Sequence, residues 1–310
     1  MRDESGPAIA VVPARAEVED AVREAGGHLV EPGAAQALVW MNPSDPEGLR
    51  AALASSPATW VQLPFAGIEE FLAAGLLEPG RTWTCAKGIY GPSTAEHALA
   101  LLLLAARGLH RHARARRWRK RGEASTARRL AGGTVLIVGT GGIGRSLANM
   151  LAPLEPHIIA VNRSGAAMPG ADRTVRADAL ADVVPEADWI VLAPALTPDT
   201  EHLFDAAMIA RMKPTAWMVN VGRGGLIDTD ALVAALAAER IGGAALDVTD
   251  PEPLPDGHPL WEMNNVVITS HAANTWAMAV PELAALVKRN VERFGRGEAL
   301  EGLVDLDVGY

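Results

Sequence analysis

Three ionisable side chains each stand just beyond a short apolar run: Arg223 after residues 216–221, Glu252 after 244–248, and His271 at the end of 266–269. A guanidinium, a carboxylate and an imidazole suit one task together. The guanidinium grips a carboxylate in a planar fork, the imidazole exchanges a proton, and the acid orients the imidazole and favours its charged form. Taken singly, each has a plainer use as a surface ion pair, a solvated loop acid or a core histidine. Their shared position at the ends of successive apolar runs groups them.

Upstream, Val135-Leu136-Ile137-Val138 leads into Gly139-Thr140-Gly141-Gly142-Ile143-Gly144. This spacing predicts a strand, a G-x-G-x-x-G turn and a helix from near Arg145. Gly139 permits the tight turn, Gly141 lets the backbone approach a pyrophosphate, and Gly144 allows close helix–strand packing. Amides at the helix N-terminus, around Gly142 and Ile143, then face a dinucleotide diphosphate. The residue that reads the adenosine ribose is expected about 20 positions on. Asn162 stands there, eighteen residues past Gly144, followed by Arg163 and Ser164. An uncharged Asn162 does not repel a 2′-phosphate, and Arg163 can pair with one. The pattern favours NADP and leaves NAD open.

Elements able to position these groups alternate along the chain. Apolar runs at 9–12, 37–41, 59–63 and 82–86 are expected strands, separated by helices at 15–25, 46–54 and 69–76. A helix capped by Ser93 or Thr94, with Glu96 in its first turn, then carries a leucine-rich stretch. A second series of strands is expected at 135–138, 157–161, 189–193, 216–221, 244–248 and 266–269, with a last helix over 275–294. Such alternation is the pattern of α/β domains built on parallel sheets. At roughly 150 residues per domain, 310 residues make about two.

Composition narrows the class. Hydrophobic residues are 49% and charged residues 21%, a globular balance. The longest apolar run, 98–106, is far short of the roughly 20 residues that cross a bilayer. Cys85 is the sole cysteine, which excludes an intrachain disulfide and a cysteine-based metal cluster and points to a reducing, cytoplasmic setting. No metal is expected. The net charge of −9 argues against nucleic acid as a partner. Between Arg107 and Arg129, however, ten basic residues face one acid, Glu123, a stretch expected to be a solvated or subunit-facing arm.

Taken in order, the segments Leu63-Pro64-Phe65-Ala66-Gly67-Ile68-Glu69, Ser93-Thr94-Ala95-Glu96-His97, the glycine turn, Leu196-Thr197-Pro198-Asp199-Thr200, Met212-Lys213-Pro214, Asn220-Val221-Gly222-Arg223-Gly224, Asp247-Val248 and Ser270-His271 resemble the D-isomer-specific 2-hydroxyacid dehydrogenases over nearly the whole chain. The resemblance implies a flavodoxin-like substrate domain (1–94 plus 276–310), a Rossmann dinucleotide-binding domain (95–275), a cleft between them, and a homodimer. It implies D-specific hydride transfer between NAD(P)H and a small 2-keto or 2-hydroxy acid. His271 would be the proton donor and acceptor, with Glu252 its partner and Arg223 the carboxylate and carbonyl contact. Ala66 and Gly67 would supply further substrate contacts. Val221 and Thr197 would line the cofactor, and Asp247 would lie near the nicotinamide carboxamide. Residues 305–308 resemble the strand that closes the first domain, and Trp118 a residue offered to a partner subunit. The same resemblance includes corepressors that sense dinucleotides, a rival class that the basic stretch could serve.

Overall fold

The computed structural model describes residues 6–118 and 127–306. Two compact units form, one from Met1–Tyr90 with Thr275–Tyr310 and one from Gly91–Asn274. The joints fall four residues and one residue earlier than the sequence boundaries drawn above.

The first unit contains β1 (Ala8–Val12), α1 (Ala16–Glu24), β2 (His28–Leu29), β3 (Ala37–Trp40), α2 (Pro46–Ala54), β4 (Trp60–Gln62), α3 (Glu69–Ala73) and β5 (Thr82–Thr84). Its strands are parallel in the order β2-β1-β3-β4-β5. Both faces of this sheet are covered, so β3 and β4 carry only buried side chains and lack a polar alternation. The chain's last long helix packs here: Leu283, Val287 and Val291 join Val18 and Val22 of α1 in one core. A buried polar link then ties the C-terminal segment down. The Asn290 amide donates to Gln62 Oε1 (3.1 Å) and to the Glu301 carbonyl (3.0 Å), while the Glu301 amide donates back at 2.8 Å. Leu303 pairs antiparallel with Thr84. Pairing therefore falls at 302–304, earlier than the expected 305–308, of which 307 and 308 lie outside the described residues.

The second unit opens with α4 (Gly91–Arg107) and α5 (Leu109–Ala113). Then follow β6 (Thr134–Val138), α6 (Gly142–Leu151), β7 (His157–Asn162), β8 (Arg173–Arg176), α7 (Leu180–Val183), β9 (Trp189–Leu192), α8 (Ala206–Ile209), β10 (Trp217–Asn220), α9 (Thr229–Ala237), β11 (Gly243–Leu246), α10 (Pro259–Glu262) and β12 (Val266–Ile268). Helix α11 (Trp276–Gly295) returns to the first unit. The seven strands are parallel in the order β12-β11-β10-β9-β6-β7-β8. Leu232 and Leu236 of α9, with Phe204 from the segment before α8, pack on one face, and α4 and α6 cover the other with Leu101, Leu102, Leu147 and Leu151.

Two expected helix starts are corrected. Helix α4 begins at Gly91, which leaves Ser93 and Thr94 inside its first turn and not at its cap. The reason is packing: a Cβ on Gly91 would strike the Gly142 backbone, so glycine admits α4 against the start of α6. Helix α6 begins at Gly142, three residues before the expected start. Of the five leucines of α4, Leu101 and Leu102 are buried within this unit, while Leu99, Leu103 and Leu104 keep partial exposure.

The basic stretch is anchored at both described ends. Arg114 donates to the Met263 and Val266 carbonyls (3.4 and 3.2 Å), and Arg128 to the Thr215 carbonyl (2.7 Å) while lying over Trp189. Residues 119–126, with Glu123, lie outside the described residues. Among the described residues no helix is long and apolar enough to cross a membrane.

Candidate active site

The strand-to-helix turn after β6 is built by its glycines. Gly139 takes φ 97°, a left-handed conformation, and a Cβ there would strike the Ala193–Pro194 backbone after β9. A Cβ on Gly144 would strike the Gly139 carbonyl, so α6 closes directly on the turn. Gly141 differs. It is exposed at the N-terminus of α6, and a Cβ there would meet nothing within 4 Å. Gly144 is thus required by the fold, whereas the room at Gly141 is left for something outside it. An open glycine position beside the free amides of a helix's first turn fits a diphosphate. The turn also sits where the strand order reverses, between β6 and β9, the place where open α/β sheets hold ligands.

Asn162 closes β7. Its side-chain amide donates to the Ala166 carbonyl (2.8 Å), and its oxygen accepts from the Gly165 amide (2.6 Å) and the Ser164 hydroxyl (3.2 Å). Asn162, expected at the ribose position, is therefore spent on shaping its own turn, and it presents no negative charge. Arg163, next to it, is exposed. Thr197 after β9 is likewise held in its loop, its amide donating to Thr200 Oγ1 at 2.8 Å. Val221, just past β10, is buried.

Arg223, Glu252 and His271 follow β10, β11 and β12, three neighbours in one sheet. Asn220 shapes the first loop: its oxygen accepts from the Gly222 amide (3.0 Å) and its amide donates to the Arg223 carbonyl (2.8 Å). Gly224 then lies so close to the Thr249 carbonyl that a side chain is excluded, which draws the loop after β10 onto the loop after β11. His271 Nδ1 is 2.6 Å from Glu252 Oε1. Both side chains keep solvent contact, at 53% and 41% exposure.

The electrostatics follow from that pair. The hydrogen bond to Glu252 raises the His271 imidazole above its ordinary value, against partial burial and the nearby Arg223 charge. The hydrogen bond from His271 holds the Glu252 carboxyl below its own range, with Arg223 adding to the effect. The arrangement can keep a protonated imidazole ready beside a guanidinium.

A second arrangement lies beneath the first. Asp247, 3% exposed, accepts through Oδ1 from Thr269 Oγ1 (2.6 Å) and the Ala272 amide (2.9 Å), and through Oδ2 from the Ala273 amide (3.1 Å). His97 Nε2 on α4 sits 3.3 Å from Oδ1 and 2.9 Å from Thr269 Oγ1. Burial alone would raise this acid, but hydrogen bonds from His97, Thr269 and the two amides outweigh it and keep the carboxyl below its usual range. His271 has φ 49°, a left-handed conformation costly for a side chain of its size, and its amide donates to the Asp247 carbonyl at 2.8 Å. Asp247 thus holds the backbone on both sides of His271. Ser93 on α4 donates to Asn274 (3.0 Å) as a further tether.

His97, Thr269 and Ser93 belong to this site but not to the set that the sequence groups. The Ser93-Thr94-Ala95-Glu96-His97 segment was the available signal, but nothing in its letters says that its histidine meets a strand end some 170 residues away. Ala66 and Gly67 lie in the first unit, in the loop after β4, partly exposed. Among the described residues no group of three or more His, Cys, Asp or Glu side chains could hold a metal ion.

Comparison with known proteins places the chain in a family. The family described as "D-isomer specific 2-hydroxyacid dehydrogenase, NAD binding domain" matches residues 99–273. An uncharacterised protein from the proB 3′ region of Corynebacterium melassecola is 42% identical over 298 residues, covering 94% of this chain and 95% of that protein. A glyoxylate reductase from Pyrococcus furiosus is 34% identical over 224 residues, 70% of this chain and 66% of the reductase. Among solved structures, an NADPH-dependent glyoxylate/hydroxypyruvate reductase from Sinorhizobium meliloti, in complex with NADP and sulfate, superposes with a TM-score of 0.82 at 26% identity. That likeness covers 98% of this chain and 100% of the reductase. The chain belongs to the D-isomer-specific 2-hydroxyacid dehydrogenase family.

Proposed function

We propose that this NAD(P)-dependent 2-hydroxyacid dehydrogenase reduces a small 2-keto acid to the D-2-hydroxy acid, with NADPH preferred over NADH. The observation that carries the reading is the 2.6 Å contact between His271 Nδ1 and Glu252 Oε1. It leaves Nε2 as the nitrogen to give a proton to the keto oxygen. The bound dinucleotide supplies the hydride. Glu252 keeps the imidazole charged until the proton moves and orients the ring throughout. Arg223 holds the substrate carboxylate and polarises the carbonyl. The Ala66 and Gly67 amides are proposed as further carboxylate contacts. Asp247 acts through the backbone of His271, as a positioning residue. In the oxidative direction His271 takes the proton back.

The first turn of α6, Gly139 to Gly144, is proposed to hold the diphosphate, with Thr197 and Val221 beside the cofactor. Preference for NADPH is supported by the uncharged Asn162 turn and the exposed Arg163 and Ser164 at its tip, and the Sinorhizobium meliloti structure holds NADP. A homodimer belongs to the same reading, supported by two large apolar side chains left exposed within the basic stretch, Leu109 and Trp118 (93% exposed). A cytoplasmic setting is proposed from the buried free thiol of Cys85.

The test is NADPH and NADH oxidation with glyoxylate, hydroxypyruvate, pyruvate and phenylpyruvate, followed by chiral analysis of the product. Turnover of at least one acid to the D-product, with a lower KM for NADPH, is expected. Tight dinucleotide binding without turnover of any acid would reject the reading in favour of a dinucleotide sensor.

A further inference from the structure

Doubly wound sheets open a crevice beyond the carboxyl ends of their strands, at the point where the winding reverses. In the second unit that point is taken by the glycine turn. The first unit has a reversal of its own, between β1 and β3 in the order β2-β1-β3-β4-β5. The function proposed above places nothing there, because Ala66 and Gly67 follow β4.

The side chains at this second reversal are few. Strand β1 is followed by Pro13, Ala14 and Arg15, and β3 by Met41, Asn42, Pro43, Ser44 and Asp45. Arg15 is the one cation in these two segments and Asp45 the one acid. Asp45 is already committed: it caps α2 by accepting from the Gly48 amide (2.8 Å) and meets Asn42 Nδ2 at 3.4 Å.

Arg15 is held but not neutralised in depth. Its guanidinium carbon lies 5.9 Å from the centre of the Trp276 ring, and Trp276 packs against Phe65 at 5.1 Å between ring centres. Phe65 immediately precedes Ala66 and Gly67, so one indole separates the guanidinium from the segment proposed to meet the substrate carboxylate. Arg15 Nε is buried and makes no hydrogen bond. The acid against it is Glu17, whose Oε2 is 3.3 Å away but on a side chain 56% exposed. An ion pair this wet contributes little, so an incoming anion can displace it.

We propose that Arg15 is a specificity-determining residue, receiving a second anionic group, carboxylate or phosphate, at the far end of the 2-keto acid. The substrate class is then the doubly anionic 2-keto acids, with Trp276 and Phe65 flanking the chain between the two charges. A guanidinium fork matches either oxyanion, and the indole beneath restrains its plane. This inference rests on the reductase reading and sharpens it.

The experiment measures kcat/KM with NADPH for glyoxylate and 2-oxobutyrate, which carry no second charge, and for 2-oxoglutarate and phosphohydroxypyruvate, which do. Wild type, Arg15→Gln, Arg15→Lys and Glu17→Gln are compared. The expected result is a preference for at least one charged-tail acid over 2-oxobutyrate. Arg15→Gln should lose about tenfold to a hundredfold on that acid, mostly in KM, and stay within about threefold on the uncharged pair. Arg15→Lys should recover part of the loss. Glu17→Gln should move the charged-tail KM the opposite way, downward, which a merely structural role for Arg15 would not produce. The two charged acids separate carboxylate from phosphate as the preferred tail. Equal losses on all four acids, or no wild-type preference for a charged tail, would overturn the inference and leave the reductase reading standing. Turnover of none of the four would overturn the inference, and the reductase reading falls with it only if hydroxypyruvate, pyruvate and phenylpyruvate are refused as well.

Discussion

Replacing Glu252 with Gln keeps the side chain's shape and removes its charge. In the native site His271 Nδ1 meets Glu252 Oε1 at 2.6 Å, and that bond is the main reason the imidazole sits above its ordinary value. Hydrogen bonds to charged partners contribute about 1.5–3 kcal/mol and neutral ones about 0.5–1.5. The half-exposed pair belongs at the lower end, so the variant loses about 1 kcal/mol of preference for the imidazolium, roughly fivefold. The sign is fixed by the proton. Reduction needs charged His271, so its rate is full below the imidazole pKa and falls as pH rises through it. Glu252→Gln lowers that pKa and moves the alkaline limb to lower pH. Oxidation needs neutral His271, so its acid limb moves the same way. The assay is kcat/KM against pH in both directions. Above both limbs the variant should reduce the keto acid about fivefold more slowly, a gap that narrows through the window between them and closes at the acidic end. Superimposable profiles would refute the claim that this acid sets the proton on the ring.

The glycine turn separates fold from binding. Gly141→Ala adds a Cβ into open space, so stability should hold within about 0.5 kcal/mol while dinucleotide Kd rises about tenfold or more; unchanged Kd would count against the diphosphate site. Gly144→Ala pushes a Cβ into the Gly139 carbonyl and should destabilise the second unit by about 1–3 kcal/mol in urea unfolding, a loss that an unaffected midpoint would disprove. His110 is buried against Trp217 (5.0 Å between ring centres), and burial, with Arg111 and Arg114, pushes its imidazole down to about 4. It stays neutral when folded and protonates near pH 6.5 when unfolded, so stability is lost as pH falls from about 6.5 to about 4. His110→Phe should flatten that part of the stability profile; an identical acid dependence would exclude His110 as a source.

Much of the fold was legible because parallel strands covered on both faces are plain apolar runs. Strands β6, β9 and β10 were found within a residue or two for that reason. Strands β2 and β8 were missed. The first is two residues long, and the second, Arg173–Arg176, is an edge strand bounded by arginines, with one neighbour only. Helix α4 was started late because its entry depends on Gly91 meeting Gly142, a contact between distant segments that no local capping pattern records. In the site, residue type and position at strand ends sufficed to group Arg223, Glu252 and His271. The left-handed turn at His271 and its restraint by Asp247, Thr269 and His97 were not readable, since they depend on register between β11, β12 and α4. Asn162 was read as a missing charge, which it is, but its hold on the turn at 162–166 appears only in three dimensions.

Proton transfer by His271 is tested most directly by His271→Ala, with NADPH affinity measured by fluorescence titration and reduction of the best 2-keto acid measured on the same preparation. The expected result is cofactor Kd within about threefold of wild type, together with a fall in kcat of about a hundredfold to ten-thousandfold, the usual worth of a positioned general acid. A variant that binds NADPH normally and still reduces the acid within about threefold of the wild-type rate would contradict it.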